Sequence, residues 1–156
     1  VDLLHELPDS VLWLLDWHGQ AKPHLLDELA RRGIPASRIH WAPRWDLPRH
    51  ISRIPLADVF IDTWPCNAHT TASDALWAGL PVVTFMGQTF ASRVAASLLH
   101  AVGLPELVTE TQGAYEARAI ALARDNNLPI IVFSLDEPGG FRGILAGEGT
   151  YTRVGG

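Results

Sequence analysis

The sequence predicts one α/β domain built on a mainly parallel sheet. Three observations carry that prediction. Short, predominantly apolar runs recur, at VLWLL (11–15), PVVTF (81–85) and PIIVF (129–133); a strand without polar alternation is one covered on both faces, as in a parallel sheet. Amphipathic stretches of helical spacing lie between such runs, giving the strand–helix alternation of α/β folds. The chain has 156 residues, 47% hydrophobic and 19% charged, which suits one sizeable core and excludes general disorder.

The elements follow in order. Residues 11–15 form the first strand. A helix over 24–32 places Leu25, Leu26 and Leu29 on one face, with Pro23 in its first turn and Gly33 at its end. Residues 38–42 form a short strand, 46–53 a short helix with Leu47 and Ile51 at i, i+4, and DVFID (58–62) a third strand. A helix over 71–78 opens on Thr71 and Asp74, which have the spacing of a capping box, and closes on Gly79 and Pro81. Residues 81–85 form the fourth strand. A helix over 90–101 turns Phe90, Val94, Leu98 and Leu99 inward and ends near Gly103. A fifth strand falls at 106–109, a helix at 114–124 and a sixth strand at 129–133, parallel and in the same sheet as the earlier ones. The glycine-rich end holds a short helix at 141–146 and a last strand at 150–154.

Composition excludes several classes of function. The net charge of −5 argues against a polyanion binder, so no nucleic-acid partner is expected. Cys66 is the single cysteine, which leaves no internal disulfide and no cysteine-based zinc site. The seven histidines show no metal-ligand spacing, and His5, His18, His24, His40 and His100 read as surface or boundary residues. No GxSxG, Walker A or GxGxxG motif occurs. No apolar run nears the roughly 18–20 residues of a membrane span. The opening VDLLHELPDS has neither a starting Met nor a basic leader, so it reads as a piece of a longer, cytoplasmic protein. Of the six tryptophans, Trp13, Trp41 and Trp77 are expected in the core, and Trp17, Trp45 and Trp64 in loops after strands.

The sharpest local feature is the stretch 67–74, NAHTTASD, between a strand and a helix. A helix start at the carboxyl end of a parallel strand offers unpaired amides and the positive end of a dipole, which suits a phosphate or diphosphate. Local sequence alone favours plain capping over binding. The turn GQTFASR (87–93) has the same placement and a nearby cation.

A longer pattern is more specific. PDSVLWLL, RIHWAPRWDLPRHISRIPLADVFIDTWPCNAHTTASDALWAGLPVVTFMGQTFASRVAASLL and GLPELV resemble, in one order over about the first 120 residues, the C-terminal catalytic lobe of the O-linked N-acetylglucosamine transferases, including their bacterial SPINDLY-like relatives. The resemblance implies a GT-B fold, of which this would be the Rossmann-like, three-layer lobe that holds a sugar nucleotide. It implies that His69, Thr70 and Thr71 meet the diphosphate, Asp74 the ribose hydroxyls, His50 the face of the base and Arg53 its edge. Trp45 falls where the family uses its backbone. Leu47 stands where the animal enzymes have a lysine near the ribose. The family's diphosphate-neutralising lysine and its second lobe belong to parts outside this sequence, so no protein glycosylation is expected from this chain alone. No cofactor and no metal are implied. The donor would be UDP-N-acetylglucosamine or another nucleotide sugar such as GDP-fucose, and the acceptor a protein Ser or Thr.

The end of the sequence departs from that family. ALARDNNLPIIVF running into SLDEPGGFRGILAGEGTYTRV resembles the C-terminus of bacterial UMP kinase over about the last 40 residues. The change-over is expected within 117–125. The expected organisation is a sugar-nucleotide-binding lobe over 1–125 and a UMP-kinase-like tail over 126–156 packed on the same sheet, the two making a chimera. Two rival readings stand beside this one. The first is a chimeric or designed α/β scaffold without activity, from which ligand binding would distinguish it. The second is UMP-kinase-like phosphotransfer, against which the lack of a phosphate-binding glycine loop speaks.

Overall fold

The computed structural model describes residues 1–16, 19 and 21–124, together with the backbone of strands at 130–133 and 151–154. Trp17, His18 and the expected helix at 141–146 lie outside the described residues. The chain divides into two compact units, Val1–His50 and Ile51–Gly156.

The first unit contains α1 (Asp2–Glu6), β1 (Leu12–Leu15), α2 (Ala21–Arg31) and β2 (Ile39–Ala42). β1 and β2 pair in parallel, Leu12 opposite Ile39 through Leu15 opposite Ala42. Alternation along β1 turns Leu12 and Leu14 to one face, where they pack, as Leu25 and Leu26 of α2 do, against the buried cluster of Leu4, Leu29, Ile34 and Ile39. Trp13 takes the other face and meets the edge of His40. β1 is therefore half-buried, with Leu15 exposed, and not sealed on both faces as its apolar run predicts. α1 had no expectation in the sequence. α2 ends at Gly33, whose φ of +77° permits the Ile34 amide to donate to Leu29 O, a left-handed cap that a residue with Cβ resists.

The division between units falls within α3 (Leu47–Arg53). The second unit continues with β3 (Phe60–Ile61), α4 (Thr70–Trp77), β4 (Val82–Phe85), α5 (Val94–Ala101), β5 (Val108–Thr109) and α6 (Gln112–Arg124). Its sheet has the order β3-β4-β5, all parallel, and α4, α5 and α6 all contact β4. Successive strand residues face opposite ways, so full burial of Val82, Val83 and Thr84 means that both faces of β4 are covered. This is the α/β layering that the sequence predicts.

Three expectations are corrected. α4 begins at Thr70 with His69 as its N-cap and has no side-chain cap, so Thr71 and Asp74 form no capping box. Trp77 is exposed, because the inner line of α4 is Ala72 and Ala75. Phe90 is 82% exposed and starts no α-helix. Thr89 and Ser92 form a reciprocal capping box around a 3-10 turn at Phe90–Ser92, and α5 starts afresh at Val94 with Ala95, Ala96 and Leu99 buried.

In the tail, β6 (Ile130–Phe133) pairs antiparallel with β7 (Tyr151–Val154), Ile130 opposite Val154. These two strands form a sheet of their own, where the sequence predicts a parallel addition to the main sheet.

Candidate functional site

The site grows from the end of β3. Phe60 and Ile61 satisfy the strand, and the chain then meets Asp62, which is buried. Burying a carboxylate is costly unless its oxygens are bonded. Here Oδ1 accepts the amides of Thr63 at 2.8 Å and Ala68 at 2.7 Å, and Oδ2 accepts the hydroxyl of Thr84 at 2.6 Å. Thr84 is fixed in turn, since Thr109 donates its hydroxyl to Thr84 O at 2.8 Å. From α6, Tyr115 donates its hydroxyl to the main-chain oxygen of Asp62 at 2.6 Å. Burial, with the neighbouring Asp62 carboxylate, pushes the Tyr115 phenol above its ordinary range.

The loop at 63–68 is folded tightly on itself. Thr63 donates its hydroxyl to Cys66 O at 2.7 Å. Buried Asn67 donates Nδ2 to Thr63 O at 3.0 Å. The Trp64–Pro65 peptide is cis, and the Trp64 ring stacks on Phe85 at 5.5 Å. The Asn67 amide reaches across to Ala91 O at 2.8 Å, which ties this loop to the one after β4. That second loop is equally close. A Cβ on Gly87 would fall 2.4 Å from Ser92 Oγ and 3.2 Å from Trp64 Nε1, and Arg93 donates to Gly87 O at 3.0 Å.

This scaffold delivers His69, Thr70 and Thr71 to the start of α4, all three exposed. The first helical amide to find an intrahelical acceptor is that of Ser73, which donates to His69 O at 3.1 Å. Helix geometry leaves the amides of Thr70, Thr71 and Ala72 without such a partner, at the positive end of the dipole. Asp74 follows four residues after Thr70 and three after Thr71, on the same face. It is half-buried, and its side chain has no hydrogen bond or ion pair among the described residues. Phe90 stands edge-on to His69 with 6.2 Å between ring centres, so the residue expected in the core lies beside the site. Chemically, the arrangement offers amide and hydroxyl donors to an anion and a carboxylate acceptor one turn further on.

His50 and Arg53 sit one turn apart on α3, His50 half-buried and Arg53 buried, and both are engaged in further interactions. The structure thus gathers His69, Thr70, Thr71 and Asp74 at one helix start, and His50 and Arg53 on one helix. Sequence reasoning missed Asp62, Thr84 and Tyr115, and it gave Asn67 and Gly87 no role of their own within the two stretches it singled out. Among the described residues no group of three or more His, Cys, Asp or Glu side chains could hold a metal ion, and no helix is long and apolar enough to cross a membrane.

A parallel α/β unit with an exposed helix start beyond a strand end has the architecture at which open α/β folds commonly place their ligands. The chain belongs to glycosyl transferase family 41, matching it over residues 1–131. It is 42% identical over 125 residues to a UDP-N-acetylglucosamine–peptide N-acetylglucosaminyltransferase of Caenorhabditis elegans, covering 80% of this chain and 11% of that protein. A solved structure, a variant of the Thermobaculum terrenum O-GlcNAc transferase, superposes with a TM-score of 0.75 and 34% identity, over 80% of this chain and 24% of that one. The fold is accordingly that of a GT-B glycosyltransferase lobe. A separate similarity links the chain to the uridylate kinase of Roseobacter denitrificans, 52% identical over 88 residues, covering 56% of this chain and 36% of that protein. The kinase alignment is longer than the tail of about 40 residues, and part of the chain aligns with both families, since the shares of 80% and 56% overlap. In each case the chain spans well under half of the relative's length.

Proposed function

We propose that residues 1–125 are the nucleotide-sugar-binding lobe of a protein O-GlcNAc transferase-like enzyme and that 126–156 are a UMP-kinase-like tail joined to it, the whole a chimera. The observation that carries the reading is the α4 start, where the free amides of Thr70, Thr71 and Ala72 stand beside exposed hydroxyls on a braced loop. His69, Thr70 and Thr71 hold the diphosphate of a UDP-sugar. Asp74 accepts from the ribose hydroxyls, His50 stacks on the base and Arg53 reaches its edge. In the complete enzyme a Ser or Thr hydroxyl of a protein acceptor attacks the anomeric carbon, and the α4 donors stabilise the charge growing on the departing diphosphate. No metal or cofactor enters this reading, and a cytoplasmic setting goes with it. By itself the chain binds nucleotide without turnover, because transfer needs an acceptor oriented against the donor.

Calorimetric titration with UDP, GDP and UMP tests the proposal. UDP is expected to bind about tenfold tighter than UMP, the worth of one charge-assisted hydrogen bond to the second phosphate. Equal affinity for UDP and UMP would remove the α4 start from the site. Binding of none of the three would leave the scaffold without activity.

A further inference from the structure

We infer that Asp62 is the positioning residue of the α4 start. The inference rests on the proposed nucleotide reading for its ligand, though not for its geometry. Asp62 is buried, and both carboxylate oxygens are in use. Oδ1 closes a ring on the loop by accepting the amide at its beginning, Thr63, and the amide at its end, Ala68. Ala68 immediately precedes His69, the N-cap of α4. Oδ2 fastens the same group to Thr84 on the fully covered strand β4, and Tyr115 of α6 holds the Asp62 main chain. The last residue before the helix start is therefore tied through one carboxylate to the centre of the sheet. His69 has no side-chain cap bond of its own, so the helix start takes its place from the loop.

Asp62 does not reach the ligand in this scheme; it acts through the Ala68 amide. That separates two nucleotides. Displacing the α4 amides removes what the second phosphate gains and leaves the base and ribose contacts alone. Asparagine is the informative conservative change. Its Oδ1 still accepts from the two amides and its Nδ2 donates to the Thr84 hydroxyl, so the ring survives without the charge.

The experiment combines calorimetry with amide hydrogen exchange on the full chain, with a thermal melt to confirm folding. In Asp62→Ala, UDP affinity is expected to fall about tenfold, to the level of UMP, while UMP affinity holds. The Ala68 amide loses its protection. Asp62→Asn is expected to stay within about threefold of the parent for UDP and to keep Ala68 protected. Should Asp62→Ala fail to fold, Thr84→Val, which removes the anchor on β4 at nearly constant volume, carries the test with the same selective loss for UDP. Equal losses for UDP and UMP, or an unchanged Ala68 amide in a folded Asp62→Ala, would overturn the inference. A parent that binds no UDP yet loses Ala68 protection in Asp62→Ala would sink the nucleotide reading and leave the positioning role standing.

Discussion

In each unit of the chain a charged side chain binds main chain beside a helix end, Arg38 in the first and Asp62 in the second, and the two do opposite things. In the first unit Arg38 donates Nε to Ser10 O, one terminal nitrogen to Leu4 O and the other to Leu7 O, all at 2.7 Å, and also reaches Ser10 Oγ at 2.9 Å. Leu4 O lies in the last turn of α1 and Leu7 is its C-cap, so a cation takes up carbonyls that helix geometry leaves orphaned. In the second unit Asp62, an anion, takes up amides just before a helix begins. Arg38 closes a helix end and leaves nothing for a ligand. Asp62 stops one residue short of the N-cap and leaves the next amides open. The same physics, a buried or half-buried charge satisfied by backbone, gives a structural knot in one place and a candidate site in the other.

The most damaging way to probe the contrast is Arg38→Ala. Hydrogen bonds to a charged group contribute roughly 1.5–3 kcal/mol each and are not additive, so a loss of about 3 kcal/mol is expected in urea unfolding. Arg38→Lys should restore less than half, because one ammonium does not span the geometry of a guanidinium fork. Full stability in Arg38→Ala would deny the knot its role. Next comes Gly87→Ala, where the added Cβ meets Ser92 Oγ at 2.4 Å and Ser92 Cβ at 2.8 Å. Overpacking of this kind costs about 1–3 kcal/mol. In a double-mutant cycle with Ser92→Gly the penalties should be less than additive, since the second change removes what the first one strikes.

What was legible in the sequence follows from how local its causes are. The strands at Leu12–Leu15, Ile39–Ala42 and Val82–Phe85 were visible because each is short and mostly apolar, with only His40 and Thr84 interrupting. The ends of α2 and α4 were visible because Gly33 and Gly79 sit where a positive φ is needed. Phe90 misled, because Phe90 and Val94 share a helical spacing, but the Thr89–Ser92 box interrupts the helix and resets its phase. Asp62 was illegible: its partners Thr63, Ala68 and Thr84 form no local pattern, and an acid after an apolar strand looks like a strand end. The antiparallel pairing of β6 with β7 was likewise hidden, since an apolar run does not announce its neighbour. His69, Thr70, Thr71 and Asp74 were picked out by family resemblance, while local chemistry alone favoured capping.

A smaller effect comes from Tyr115. Its phenol is raised by burial first and by the Asp62 charge second, so the folded state holds the proton more tightly than the unfolded one. The associated stability is complete below the ordinary phenol value of about 10 and declines as the pH rises above it. Tyr115→Phe should cost about 1 kcal/mol at neutral pH, through the lost bond to Asp62 O, and should flatten the alkaline decline. Subtracting the tyrosinate absorbance titration of the variant from that of the parent isolates this one phenol. A difference curve centred at the ordinary value would mean that the α6 strut is not closed in solution.

The last comparison is made within α4 and concerns Asp74, where the stability effect should be the smallest. A capping role would make Asp74→Ala cost about 1 kcal/mol. The structure removes that role: Asp74 lies past the first turn, the N-cap is His69, and no side-chain cap is formed. A half-buried carboxylate without a partner among the described residues has little to lose on truncation, so the change in stability should stay within about 0.5 kcal/mol, as for substitutions away from any specific feature. Nucleotide affinity should behave differently. On the proposed reading a carboxylate next to a diphosphate would be repelled by it, so the role assigned to Asp74 is to accept from neutral donors, the ribose hydroxyls. Asp74→Ala is therefore expected to weaken UDP and UMP alike by about tenfold, since both carry the ribose. That pattern differs from the one expected at Asp62, where UDP alone suffers. Calorimetry on the two variants side by side would separate a residue that touches the ligand from one that holds the helix. If Asp74→Ala selectively weakened UDP, the carboxylate would belong with the loop brace, and the ribose contact would have to be sought elsewhere on the lobe.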